Sequence, residues 1–227
     1  MSVPAGFEPP GFEPSEEFEV LVVLRVRGIL GPDALRGATA LPESRLEQIL
    51  RDLEAASAVR YHGATPSGWS LTTPGRLRAE GLMARQIEQV GARAELLSAY
   101  ERFLPLNRRV LQVCTDWQVR VGEDSDSGGE PGHTLNDHGD PSYDLAVLDR
   151  LSAIHREAEQ LLSAMGAVLA RFEPYTRRLA NALDRAHRGE LDWVTRPTVE
   201  SYHTVWFQLH EDLLATLGRQ RSDEEHR

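Results

Sequence analysis

Apolar residues recur at three- and four-residue intervals along most of the chain, a pattern that predicts a mainly helical protein. The first apolar stretch, "FEVLVVLRVRGIL" from Phe18, fits either a strand, by its valine content, or a buried helix. "GPDALRGATAL" then predicts a short helix with Pro32 in its first turn. "LPESRLEQILRDLEAASAV" predicts a third helix, whose inner face carries Leu46, Ile49, Leu50 and Leu53.

The stretch "AVRYHGATPSGWSLTTPGRLRAEG", residues 58–81, interrupts this helical pattern. Two extended segments separated by a Gly/Pro/Ser turn predict one small β-hairpin near residues 58–72. Thr72 or Thr73 is suited to cap a helix that begins with Pro74.

A long helix is expected after the hairpin. Its apolar residues recur every seven positions, at Met83, Val90, Leu97 and Leu104. A seam of this kind packs against another helix, either in the same chain or in a second copy. Pro105 should kink this helix or end it.

The remaining pattern predicts a loop and three more helices. Residues 122–142 are rich in Gly, Asp and Ser without periodicity, which predicts a flexible loop. Helices follow over about 143–172, after Pro174, and over about 197–218, where Gly218 supplies a stop. The inner positions expected for the first of these helices are Leu145, Leu148, Ser152, His155, Leu162, Met165, Leu169 and Phe172.

The order helix, short helix, helix, hairpin, helix resembles the winged helix-turn-helix domain of MarR/PadR-like regulators over residues 18–90. "SRLEQILRDLEAASAVRYHG" resembles their recognition helix and first wing strand, and "GWSLTTPGRLRAEGL" their second wing strand and next helix. The resemblance implies a mainly α fold with an N-terminal winged helix and an all-α bundle. The predicted organisation is a Pro-rich tail 1–17, a winged helix 18–80, a connecting and dimerisation helix 81–104, an effector domain 105–220 and a tail 221–227.

The resemblance also implies a DNA-binding surface. The third helix would present Ser44, Arg45, Gln48 and Arg51 to base edges or phosphates. Arg60, Arg76 and Arg78 flank the hairpin and would contact phosphates. The same helix carries Glu43, Glu47, Asp52 and Glu54, so its charges also fit an ordinary solvated face with pairs such as Glu47–Arg51. Winged helices also dock on proteins, and that alternative stays open.

Charge and composition reduce the number of function classes that fit the chain. All 25 basic residues are arginine, a bias typical of GC-rich genomes, and the net charge is -10. This acidity argues against a chain that coats nucleic acid with its whole surface. It lies outside residues 18–90, where nine arginines meet eight acids. A single cysteine, no apolar run of membrane-spanning length and no secretory signal predict a cytoplasmic protein without a membrane partner.

Residues 91–227 resemble no family that can be named, although "FLPLNRRVLQVCTDWQ" and "SYHTVWFQLHEDLLATLG" are similar to segments of actinobacterial proteins. Aromatic and histidine side chains could line a small-molecule pocket there. The candidates are Trp117, His155, Tyr202, His203, Trp206 and His210. The same aromatics fit a plain core, and the histidines lack metal-ligand spacing, so no metal or cofactor is predicted.

Catalytic motifs are absent from the sequence. "NDHGDPSYD" gathers acids and a histidine, but no nucleophile with an orienting base is recognisable, and Cys114 lies among apolar residues. We therefore expect no enzyme. The sequence predicts a homodimeric, DNA-binding transcriptional regulator that responds to an unknown small-molecule effector. The alternative is a winged-helix module that docks on a partner, such as a metabolic enzyme, without binding DNA.

Overall fold

A computed structural model describes residues 14–121 and 133–224. Within these ranges the chain is mainly helical. The helices are α1 (Glu16–Arg27), α2 (Pro32–Thr39), α3 (Glu43–Ala55), α4 (Thr73–Gln89), α5 (Arg93–Gln118), α6 (Pro141–Val168), α7 (Glu173–His187), α8 (Asp192–Thr195) and α9 (Tyr202–Leu217). The strands are β1 (Val59–His62), β2 (Gly68–Leu71), β3 (Val119–Val121) and β4 (His133–Leu135). No helix in the described ranges is long and apolar enough to cross a membrane.

The chain divides into two compact units. The first combines Met1–Ala94 with His210–Arg227, and the second is Glu95–Leu209. The boundaries of these units differ from those of the predicted domains, because the end of α9 belongs to the first unit. The predicted independence of residues 18–80 stays a prediction.

The first unit is built on α1, which is a helix and not a strand. Its N-terminus is capped by Ser15, whose hydroxyl accepts a hydrogen bond of 3.1 Å from the backbone N–H of Phe18. One face of α1 joins a core that also includes Leu35, the inner face of α3 and the base of the hairpin. The opposite face contacts Met83 of α4 and Ala215 of α9. Burial on two faces explains why the valine-rich stretch lacks an amphipathic pattern.

The predicted hairpin is present. β1 and β2 pair antiparallel in the register Val59 with Leu71 and His62 with Gly68. Leu30, between α1 and α2, forms an isolated antiparallel bridge with β2, since its N–H and C=O both bond to the backbone of Trp69.

The predicted long helix after the hairpin is wrong as a single element. α4 ends at Gln89 and α5 begins at Arg93, with Gly91 between them at φ +66°. Gly91 adopts this left-handed backbone without a side-chain clash. The seven-residue seam is therefore not one continuous ridge: Met83 lies in the core of the first unit, whereas Val90 is exposed.

In the second unit, α5 runs through Pro105 without ending. Its buried face is displaced from the predicted seam and comprises Leu96, Ala99, Tyr100, Phe103, Leu106, Asn107, Val110, Val113, Cys114 and Trp117. α6 packs against α7, and α7 packs against α8. Leu145, predicted to face inward on α6, is 54% exposed, whereas Leu148, His155 and Met165 are buried as predicted.

Part of the predicted loop 122–142 is regular secondary structure. Residues 122–132 lie outside the described residues. Residues 133–135 form β4, which pairs antiparallel with β3, and α6 already begins at Pro141. The last long helix begins at Tyr202, later than predicted, and Gly218 follows its end at φ +67°.

Candidate functional site

The outer face of α3 is the first part of the predicted interface. Leu46, Ile49, Leu50 and Leu53 turn inward and are buried, so the polar residues between them are exposed. The helix begins directly after Pro42, where no side chain caps it. α3 thus presents a polar face to solvent because its apolar residues fall at helical spacing.

The four residues predicted on this face are all exposed: Ser44, Arg45, Gln48 and Arg51. Both arginines already have acidic partners. Arg45 donates to Glu16 at 2.5 Å, and Arg51 lies 3.7 Å from Glu47. Gln48 accepts a hydrogen bond from Arg51 at 3.0 Å and donates one to Asp52 at 2.9 Å.

The hairpin is the second part of the interface. Arg60 is exposed on β1, opposite Ser70 of β2. Tyr61 packs edge-on against Trp69 with ring centroids 5.3 Å apart. Gly68 sits so close to the Leu30 segment that an added Cβ would lie 2.4 Å from the Leu30 carbonyl oxygen, and its φ is +152°. Only glycine fits there, which fixes the hairpin beside α2 and α3.

The base of the hairpin is joined to the start of α4. The Thr72 hydroxyl accepts a hydrogen bond from the Gly75 N–H at 3.1 Å and donates to the Ser57 carbonyl at 2.6 Å. Thr72 is therefore the N-cap, as predicted. Arg76 and Arg78 follow in the first turns of α4, and both are exposed.

Electrostatics separate the predicted arginines into two groups. Arg78 pairs with Glu17 of α1, as Arg45 pairs with Glu16. Arg60 and Arg76 form no ion pair with any residue in the described ranges. The positive charge that is available to a partner therefore lies beside the hairpin. It does not lie on α3, where Glu43, Glu47, Asp52 and Glu54 outnumber the two arginines.

A small cleft opens between α2, α3 and the hairpin. Its volume is about 260 Å³, and its walls are mainly apolar, with Leu46, Leu50 and Trp69. Its charged residues are mixed: the acids Asp33, Glu43 and Glu47 lie beside Arg36 and Arg51. The apolar walls fit an apolar side chain of a partner.

The residues predicted to line a ligand pocket are only partly brought together. In the second unit the Tyr202 hydroxyl lies 3.2 Å from His155 Nδ1, and the Tyr202 ring stacks on Trp206 with centroids 6.1 Å apart. Trp206 donates to Asn107 Oδ1 at 2.9 Å and stacks on Phe103. These side chains are buried against one another, which is the arrangement of a core.

The other predicted pocket residues have different surroundings. Trp117 packs against His138 with centroids 4.7 Å apart. His203 is half-buried on α9. His210 belongs to the first unit, where its Nε2 lies 2.6 Å from Glu224. The predicted ligand pocket stays a prediction.

Burial is the largest cause of the pKa shifts among these groups. It lowers the pKa of His155 and of His210, although Glu159 and Glu224, respectively, oppose the change. It raises the pKa of the Tyr202 hydroxyl, and it raises the pKa of Cys114 to about 12. Cys114 is thus a protonated, buried thiol, and an inert one at neutral pH.

A polar cluster in the second unit was missed by sequence reasoning. Asp144 is buried and accepts from the Asn136 amide at 2.9 Å, while its other oxygen lies 2.9 Å from His138 Nδ1. Asn136 also donates to the Trp117 carbonyl at 3.0 Å. The available signal was the segment "NDHGDPSYD", whose acids and histidine suggested chemistry. Here they hold β4 and the start of α6 against the end of α5.

Metal binding finds no geometric support in the part of the chain that the structure describes, where no three His, Cys, Asp or Glu side chains cluster as ligands. The predicted lack of a metal stays a prediction. Comparison with protein-family models, curated proteins and solved structures finds no match to the chain.

Proposed function

We propose that the chain is a cytoplasmic, dimeric regulator of transcription whose first unit binds double-stranded DNA. The observation that carries this proposal is the pair of exposed arginines beside the hairpin, Arg60 and Arg76, which have no acidic partner among the described residues. The helix α3 precedes the hairpin in the order found in winged helices, so α3 would enter the major groove while the hairpin lies along the backbone.

The ion pairs of Arg45, Arg51 and Arg78 do not oppose this proposal. All three arginines are exposed, with side-chain accessibilities of 52%, 61% and 43%. Exposed pairs contribute only about 0–1 kcal/mol each. A phosphate can therefore replace the carboxylate partner at small cost.

A homodimer belongs to the same proposal, because readers of this type bind two half-sites about one helical turn apart. The seam from Met83 to Leu104 does not supply its contact surface, since Met83 is enclosed in the core of the first unit. Light scattering at micromolar concentration measures the oligomeric state directly, and a monomer would contradict this part of the proposal.

Fluorescence anisotropy with labelled DNA from upstream of the gene, over a salt series, tests DNA binding. Affinity should fall as salt rises, because binding releases counterions from the phosphates. Arg60→Ala and Arg76→Ala should each weaken binding on every sequence and reduce the slope of log affinity against log salt by about 1. Arg85→Ala is the matched control, since Arg85 is also exposed on α4 and has no ion pair in the described ranges.

The cleft between α2, α3 and the hairpin favours a second candidate function, docking on a protein. Its apolar walls fit an apolar anchor of the partner, and its three acids outnumber its two arginines, which fits basic residues beside that anchor. The two functions respond oppositely to Glu43→Gln/Glu47→Gln. This double variant should strengthen DNA binding, since it removes repulsion from phosphates, but it should weaken capture of a basic partner. Failure of the wild-type chain to bind any DNA at low salt would contradict the regulator proposal.

A further inference from the structure

The second unit carries a groove between α5 and α6, with a volume of about 710 Å³. Every residue that lines it belongs to this unit. Arg109 of α5 pairs with Glu157 of α6. Asp116 lies seven residues later on α5 and pairs with Arg150, seven residues earlier on α6, so the two helices run antiparallel.

The groove combines an apolar floor with polar rims. Leu106 and Leu161 are buried at the floor. Pro105 and Ala153 are compact, so they leave space between the longer side chains around them. The polar residues that line the groove are all exposed: Arg102, Arg109, Arg156, Glu157 and Gln160. The groove therefore offers an apolar strip between charged side chains.

Positive charge exceeds negative charge in this groove, with three arginines against one glutamate. Arg109 donates to both oxygens of Glu157, at 2.6 and 2.7 Å. Arg102 forms no hydrogen bond or ion pair with any residue in the described ranges. Arg156 donates only to the Ser152 carbonyl among those residues, at 3.4 Å. Two guanidinium groups thus have no acidic hydrogen-bond partner.

These two guanidinium groups belong to different ends of the groove. The hydrogen bond from Arg109 is the main cause that lowers the pKa of Glu157, and the charge of Arg156 adds to it. Arg156 therefore lies at the same end as the pair of Arg109 and Glu157. Arg102 precedes Arg109 by seven residues, which is about 10 Å along α5. The apolar floor at Leu106 lies between the two ends.

We propose that this groove binds a linear organic dianion, with an acidic group at each end of an apolar chain. One acidic group meets Arg102 and the other meets Arg156, since guanidinium forks bind carboxylate and phosphate groups. The apolar chain lies along Leu106 and Leu161. The volume falls within the range of small-molecule sites, which is roughly 300–1,000 Å³. The site shares no residue with the ligand pocket predicted from the sequence, and it goes beyond the proposed function because it does not depend on DNA.

Isothermal titration calorimetry on the full chain tests the site, with sodium azelate, a linear dicarboxylate, as the probe. Sodium octanoate, a monocarboxylate of similar length, is the matched ligand, and sodium chloride at equal ionic strength is the reference. Azelate should bind with a stoichiometry of one per chain, and about threefold or more tightly than octanoate, because only azelate has a second charged end. Heat no greater than that of chloride, or equal affinity for the two ligands, would overturn the proposal.

Variants of the groove change azelate affinity in opposite directions. Arg102→Ala and Arg156→Ala should each weaken binding by about three- to tenfold, because each removes one charged partner. Glu157→Gln should strengthen it by about threefold, since it removes a carboxylate that competes for the arginines. Arg108→Ala is the matched control: Arg108 is exposed on α5, has no ion pair in the described ranges and does not line the groove. Affinity that is unchanged in both groove arginine variants contradicts the site.

The outcomes are distinct from those of the DNA experiment. If azelate binds and DNA does not, the regulator proposal fails and the site stands. If DNA binds and azelate does not, the site fails alone. Circular dichroism of each variant excludes misfolding as the cause of a loss, and a gain in Glu157→Gln cannot arise from misfolding.

Discussion

In the described residues, the antiparallel strand pairs β1–β2 of the first unit and β3–β4 of the second are anchored by different groups. The first is held by close approaches of backbone: Gly68 against Leu30 and Gly75 against Ala58. The second is held mainly by side chains, with Asp144 bonding to Asn136 and His138. Backbone anchoring demands residues without a side chain, whereas side-chain anchoring demands that every buried polar group finds a partner.

This difference predicts which substitutions each unit tolerates. At a backbone approach, one methyl group should be enough to force the elements apart. In a polar cluster, the size of the side chain matters less than the loss of a donor or acceptor.

Gly75→Ala should have the largest effect. Its Cβ would lie 1.8 Å from the Ala58 carbonyl oxygen, so the hairpin and α4 must separate. We expect a loss of about 3 kcal/mol or more in the free energy of unfolding. Gly81→Ala is the matched control in the same helix, since nothing lies within 4 Å of its added Cβ. It should stabilise the chain by roughly 0.5–1 kcal/mol. Urea denaturation followed by circular dichroism measures both, and equal midpoints would contradict the backbone anchor.

Asp144→Ala should have the next largest effect, in the second unit. It removes the acceptor of the Asn136 amide and the partner of His138, which costs about 2–3 kcal/mol. Asp149→Ala, an exposed position on the same helix, should change the free energy of unfolding by less than about 0.5 kcal/mol. The side-chain anchor is refuted if Asp144→Ala unfolds at the same urea concentration as this control.

A smaller effect is expected from pH. Burial lowers the pKa of His155 in the folded chain, while the unfolded chain keeps the ordinary value of 6.5. Below that pH the unfolded state binds more protons, so stability falls as pH falls and is fully present above it. Urea midpoints from about pH 7.5 to about pH 5.5 should decline less steeply for His155→Gln. His210 has a lowered pKa as well, so part of the slope should persist. An unchanged slope in His155→Gln would contradict the prediction.

The elements that sequence predicts well are those fixed by neighbours along the chain. Thr72 caps α4 within three residues of its partner, and Gly218 ends α9 by its own backbone conformation. The inner face of α3 follows from helical spacing alone. The first hairpin is recognisable because its turn is rich in Gly, Pro and Ser.

The features that the sequence did not predict share one physical cause: each depends on residues that are distant in the sequence. Pro105 removes one helical hydrogen bond, but Phe103, Leu106 and Asn107 are buried around it, and this packing outweighs the loss. β3 and β4 have only three residues each, too few for an alternating pattern. The cluster around Asp144 joins residues on either side of these strands, Trp117 before β3 and Asn136 after β4, which are distant in the sequence.

The candidate site shows the same limit. The sequence predicted an exposed face of α3 with Ser44, Arg45, Gln48 and Arg51, and these residues are exposed, as are the three arginines predicted to flank the hairpin. It did not show that Arg45 and Arg78 would pair with Glu16 and Glu17, residues assigned to a tail. Arg60 and Arg76 differ from Arg45 and Arg78 because they have no such acidic partner in the described ranges. The spacing of residues along the sequence does not predict this difference.

The return of α9 to the first unit has a consequence for synthesis of the chain. The side chains of Phe18 and Val22 share a buried cluster with Ala215, and Arg25 needs Glu211 as its second partner. A ribosome makes these residues in the order of the sequence. The packing of the first unit therefore cannot be completed until almost the whole chain has been made. Until then α4 can cover this face of α1 through Met83, but the part that Ala215 covers is open to water and available to chaperones or to aggregation. A fragment that stops at residue 94 lacks Ala215 and Glu211 and keeps that part exposed.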